Sequence, residues 1–108
     1  MRKNRVLAIM VTVLVALILP MAVYADDAAA LYKAKCASCH AADGSGDTAM
    51  GKSMKLRDLR SADVQKQTDK ELFTITADGK AKMPAYKAKL SEAEINSLVT
   101  YMRELAKK

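Results

Sequence analysis

From residue 26 onward the chain has too few bulky apolar side chains to close a core by itself. Of these 83 residues 36 are apolar, and 15 of the 36 are alanine, which leaves 21 larger side chains. A domain of this size buries only ~60 to 65% of the surface it exposes when unfolded, and it usually needs disulfides, a metal or a prosthetic group to hold it together. Cys36 and Cys39 are the only cysteines. A bridge between them would close too short a loop to restrict the unfolded chain much. The two sulfurs therefore point to some other kind of staple.

The count starts at residue 26 because residues 1–25 read as an export leader. Arg2, Lys3 and Arg5 precede an apolar run over residues 6–19, interrupted only by Thr12, and the segment closes on Ala25 ahead of Asp26 and Asp27. This is the anatomy of a secretory signal peptide cleaved after Ala25, with one domain over 26–108. As a single helix the uncharged residues 6–25 would be ~30 Å long, so retention as a membrane anchor is the alternative. In either case the basic end stays in the cytoplasm and the rest is exported, which places the domain in the periplasm. Without the leader the formal charge falls from +6 to +3. That balance, with Tyr32, Phe73, Tyr86 and Tyr101 as the domain's aromatics, excludes a nucleic-acid partner as the leading idea. A monomer is expected.

The domain reads as all-α. Ala28, Leu31, Tyr32, Cys36 and Cys39 recur at helical spacing behind Asp26 and Asp27, which predicts a first helix from Asp27 to Ser38. Asp43-Gly44-Ser45-Gly46-Asp47 is a break, and the lysine-rich stretch to Arg60 is expected to be a loop with at most a short helical turn. Thr68 with Glu71 forms a capping box for a second helix that Gly79 would end, and Ser91 with Glu94 forms another for a third. In the third helix Ile95, Leu98, Val99, Met102, Leu105 and Ala106 share one stripe.

Cys36-Ala37-Ser38-Cys39-His40 is a C-x-x-C-H sequence, the spacing of covalent haem c attachment. Two cysteines three residues apart share one face of a helical turn, so both sulfurs can reach the vinyl groups on one porphyrin edge. The next residue is rotated by about 100°, which carries its imidazole under the ring to the iron. His40 is the only histidine and becomes the proximal iron ligand. Its second ring nitrogen should donate to a backbone carbonyl, with residues 50–55 the place to look. Zinc would need more ligands than these three side chains supply, and a thiol redox pair would need a βαβ context that is missing. The haem would also serve as core, because Leu31, Tyr32, Leu56, Leu59, Phe73, Leu98 and Met102 have little else to pack on.

With its amino-terminal helix leading into C-x-x-C-H, its Met83-Pro84 step and a last helix holding Leu98 and Tyr101, the domain resembles the monohaem class I cytochromes c along its whole length. The resemblance implies the class I cytochrome c fold, with the first and last helices crossing at Ala28 and Tyr32 against Leu98 and Tyr101. It implies Met83 as the distal iron ligand. Independently, Pro84 biases Met83 toward an extended loop suited to a strap, and a thioether is a soft ligand that favours ferrous iron. Met50 and Met54 stay open as rivals, since reach alone does not exclude them. The chain departs from the best-known members in having Lys52 where they carry a proline, and in lacking tryptophan.

Lys80, Lys82, Lys87 and Lys89 flank Met83 with no acid among residues 79–91. In the family such lysines steer acidic redox proteins, which implies docking partners of that kind here. The function implied is one-electron transport without transformation of a substrate, hence no enzyme activity. The rivals are a five-coordinate haem protein for gas sensing or peroxide chemistry, and a thiol-disulfide enzyme.

Overall fold

Cap residues divide residues 23–108, the part that the computed structural model describes, into six helices: α1 (Val23–Lys35), α2 (Ala37–His40), α3 (Ala49–Ser53), α4 (Ala62–Gln65), α5 (Asp69–Asp78) and α6 (Glu92–Leu105). The leader falls on residues outside those described, apart from 23–25, which open α1. Among the described residues no helix is long and apolar enough to cross a membrane.

Both capping boxes are complete. The Thr68 hydroxyl accepts from the Glu71 amide while the Glu71 carboxylate accepts from the Thr68 amide, and Ser91 with Glu94 repeats the exchange at the start of α6. Gly79 ends α5 at φ 78, a left-handed angle that favours glycine. One of the short helices, α3, is the helical turn expected in the lysine-rich stretch, and α4 escaped the sequence pattern. Thr48 starts α3 by accepting from the Gly51 amide, and Ser61 starts α4 by accepting from Val64. The expected first helix is also divided. Cys36 lies at φ −119, outside the helical range, so the turn carrying the second cysteine and the histidine breaks away from α1.

The core lies where α1 meets α6 and α6 meets α5. Tyr32, Ala77, Leu90, Ile95, Leu98 and Leu105 form the main buried cluster, and Val64, Leu72 and Val99 form a second. The Tyr32 and Tyr101 rings stand 5.0 Å apart at 45°, so the first and last helices cross where the resemblance implies. Burying a side chain such as Ile95 is worth ~1.5 to 3 kcal/mol, which explains why a short stripe on α6 can organise the chain. Arg103 adds a polar pin. Its guanidinium donates to the backbone carbonyls of Gln65 at 2.8 Å and Gln67 at 2.6 Å and pairs with Asp69, which ties α6 to the segment between α4 and α5.

Candidate haem site

The wall that carries the motif is cross-bonded at short range. The Tyr32 hydroxyl donates to the Ala41 carbonyl at 2.7 Å, and Ala41, at φ 67, turns the chain sharply after His40. The Gly46 amide then donates back to the His40 carbonyl at 2.7 Å. Thr48 uses its hydroxyl twice, donating to the Cys39 carbonyl at 2.8 Å and accepting from the Gly51 amide at 2.8 Å. Gly51 is buried so closely below this turn that a β-carbon would collide with the carbonyl oxygens of Gly46 and Cys39. Threonine and glycine here fix where the cysteines and the imidazole sit, although only the glycine-rich break was visible as a signal in the sequence.

Another part of the cavity lining is a strap. Lys80 and Met83 exchange backbone hydrogen bonds at 3.2 and 2.9 Å around Ala81, which sits at φ 54. A β-carbon on Gly79 would come within 2.7 Å of the Met83 carbonyl, so glycine both ends α5 and lets the strap lie against it. After Pro84 the strap is tied to α5 by the amides of Tyr86 and Lys87, which donate to the Ala77 carbonyl at 3.1 Å.

Between the walls is a cavity of about 520 Å³. Cys36, Cys39 and His40 line one side and Met83 another, so residues 43 or more positions apart meet in one space. Met54 also lines it, whereas Met50 is 53% exposed and points elsewhere. Tyr32, Leu56, Leu59, Leu98 and Met102 supply apolar surface, as expected. Leu31 and Phe73 do not: they pack on the protein's own clusters, and Val64, Leu72 and Ile75 take the wall instead. Among the described residues the cations lining the cavity are Lys35, Lys55, Arg57, Lys80 and Lys82, and no acidic side chain joins them. An apolar slot edged by positive charge, with two thiols and an imidazole on one face, fits a porphyrin whose only charged groups are carboxylates at its rim.

Burial sets the protonation of the donors. Desolvation lowers the pKa of His40, which keeps the imidazole neutral and able to offer a lone pair. Desolvation, reinforced by Cys39, pushes the Cys36 thiol up to about 11, the opposite of the lowered value a nucleophilic cysteine needs. Among the described residues no three His, Cys, Asp or Glu side chains cluster to hold a bare metal ion. One expectation fails: among the described residues His40 Nδ1 is buried without a hydrogen-bond partner, and no carbonyl of residues 50–55 accepts from it. The Thr48 hydroxyl is taken up by the Cys39 carbonyl and the Gly51 amide.

The lysines near Met83 differ from one another. Lys80 and Lys82 stand at the cavity, whereas Lys87 pairs with Asp78 at 3.3 Å, an acid just outside the acid-free stretch. Its charge is partly offset, and Lys89 is exposed.

Residues 24–102 match the family described as cytochrome C oxidase, cbb3-type, subunit III. The chain is 35% identical over 85 residues to cytochrome c6 of Leptolyngbya boryana, covering 76% of this chain and 96% of the relative. The solved structure of the KustC0563 c-type cytochrome superposes with a TM-score of 0.67 at 29% identity, over 72% of this chain and 95% of the other. Sequence family, curated relative and solved fold thus agree with the cavity and its donors, and the chain belongs to the monohaem class I cytochromes c, which carry haem c in covalent attachment.

Proposed function

We propose that this cytochrome carries single electrons between redox proteins in the periplasm, with its haem joined by thioethers to Cys36 and Cys39 and its iron held between His40 and Met83. The observation that carries the reading is one cavity with the Cys36, Cys39 and His40 turn in one wall and Met83 in another. When bound, the haem supplies one-electron chemistry, its iron alternating between the ferric and ferrous states. The protein's own part is positional. His40, kept neutral by burial, donates its imidazole lone pair from the cross-bonded wall. Met83 offers a soft sulfur that favours the ferrous state and so raises the potential above that of a site with two nitrogen ligands. Met54 shares the cavity but caps α3, which packs against α2, so it arrives from the histidine side. The apolar walls exclude water, so little solvent has to reorganise as the charge changes.

The positive edge supports docking of acidic partners. Lys80 and Lys82 stand at the cavity, with Lys87 and Lys89 beyond, and charge of one sign at an exposed face raises encounter rates. Export by the leader, residues 1–25, supports the periplasmic location, with a membrane tether if the leader is kept. Met83→Ala tests the ligation directly. Its reduced and oxidised spectra should lose low-spin character and its potential should fall, while Met54→Ala should leave both unchanged. A Met83→Ala protein with an unaltered spectrum and potential would remove Met83 from the iron and favour the five-coordinate alternative.

A further inference from the structure

Tyr86 ties the two walls of the cavity together. Its side chain lines the cavity, its amide is bonded to the end of α5, and its hydroxyl donates to the Lys35 carbonyl at 3.0 Å, across 51 residues of sequence. Lys35 is the last residue of α1 and directly precedes Cys36. Because Cys36 departs from helical geometry, the helix does not continue over Lys35, and among the described residues the Tyr86 hydroxyl is the donor that its carbonyl meets. The strap has few other cross-links. Among the described residues its own turn, Lys80 to Met83, is bonded only to itself, and past Pro84 its amides reach α5 but not the cysteine-bearing wall.

We propose that the Tyr86 hydroxyl is a positioning group that holds the Met83 strap shut against the cysteine-bearing wall, and so sets how often the sulfur of Met83 releases its ligand position. This rests on the reading of Met83 as distal ligand. Tyr86 lies three residues beyond Met83 with Pro84 between them, so a displacement of Tyr86 from Lys35 passes to Met83 through a short, stiff segment. An incoming ligand can reach the iron only in the open state, so its apparent dissociation constant is the intrinsic one divided by the fraction of time that the strap is open.

Imidazole titration of the ferric holoprotein reads that fraction, followed by loss of the weak long-wavelength band that marks thioether-to-ferric-iron bonding. Tyr86→Phe removes only the hydroxyl. It should bind imidazole about three- to tenfold more tightly than the unmodified protein, the range that one net hydrogen bond supplies. Tyr101→Phe, which removes a hydroxyl from the α1–α6 crossing, should bind as the unmodified protein does. An unmodified protein that shows the band, with a Tyr86→Phe partner of unchanged imidazole affinity, overturns the proposal and leaves the ligation reading standing. If the unmodified protein lacks the band, the ligation reading fails and the proposal with it. Equal tightening in both variants would make the effect one of general loosening and would likewise overturn it.

Discussion

The two walls of the cavity are built in different ways. Around His40, side chains bond to backbone within nine residues: Tyr32 to Ala41 and Thr48 to Cys39, with a glycine buried beneath. Around Met83, the strap is a self-bonded turn anchored at its ends, mostly exposed, and resting on a glycine whose absent side chain leaves room for it. The first wall is a short-range scaffold that fixes where the porphyrin is attached. The second is a lid held from a distance, so on the proposed ligation Met83 is the easier of the two donors to perturb. If Met83 is the ligand proposed above, a class I cytochrome built this way keeps its cofactor by the cross-bonded side and adjusts its electronics from the self-bonded one.

Removing the haem should affect both walls most. The cavity of about 520 Å³ lies between them, and the chain has too few bulky side chains to fill it. Protein made without haem attachment is expected to have lost most of its helical circular dichroism, and a cooperative thermal transition in the haem-free chain would contradict this. Gly51→Ala comes next. Its β-carbon meets two backbone carbonyls that cannot move aside, so the holoprotein should lose about 3 kcal/mol, the upper part of the range for overpacking. Chemical denaturation measures this, and a loss below about 1 kcal/mol would mean that the histidine wall is softer than described.

Gly79→Ala is the matching change on the other side. At φ 78 the substitution costs roughly 1 to 2 kcal/mol of backbone strain, and the clash falls on the Met83 carbonyl. Global stability should therefore change less than in Gly51→Ala, while the spectroscopic signature of methionine ligation should change more. The reverse ranking would break the contrast between the walls. Smallest in stability, but distinct in kinetics, are the charge reversals. Lys82→Glu should lower the electron-transfer rate with an acidic partner at low ionic strength more than Lys87→Glu, because Asp78 already offsets Lys87. Stopped-flow rates against salt would decide it, and equal effects would detach docking from the cavity edge.

The three main helices were legible because each signal is local. A capping box spans four residues, and the stripe on α6 repeats within one helix. The C-x-x-C-H turn was legible for the same reason. What escaped was set by contacts between segments or by single backbone angles. The break at Cys36 and the four-residue helix α4 leave no periodic trace. Met50 and Met54 could not be separated by reach, and it took the packing of α3 on α2 to turn one outward and the other into the cavity. Gly79 was legible as a helix stop but not as the seat of the strap, and the bond from Tyr86 to Lys35 depends on a fold already formed. The lysine run was counted correctly along the chain, yet Asp78, one position outside it, changes the meaning of Lys87.

The central claim is that a porphyrin is attached at Cys36 and Cys39 with its iron on His40. The most direct test is the intact mass and optical spectrum of protein exported from a host with working haem-attachment machinery. The account predicts a coloured protein at the polypeptide mass plus one haem that survives denaturation. A colourless product at the bare polypeptide mass would contradict it.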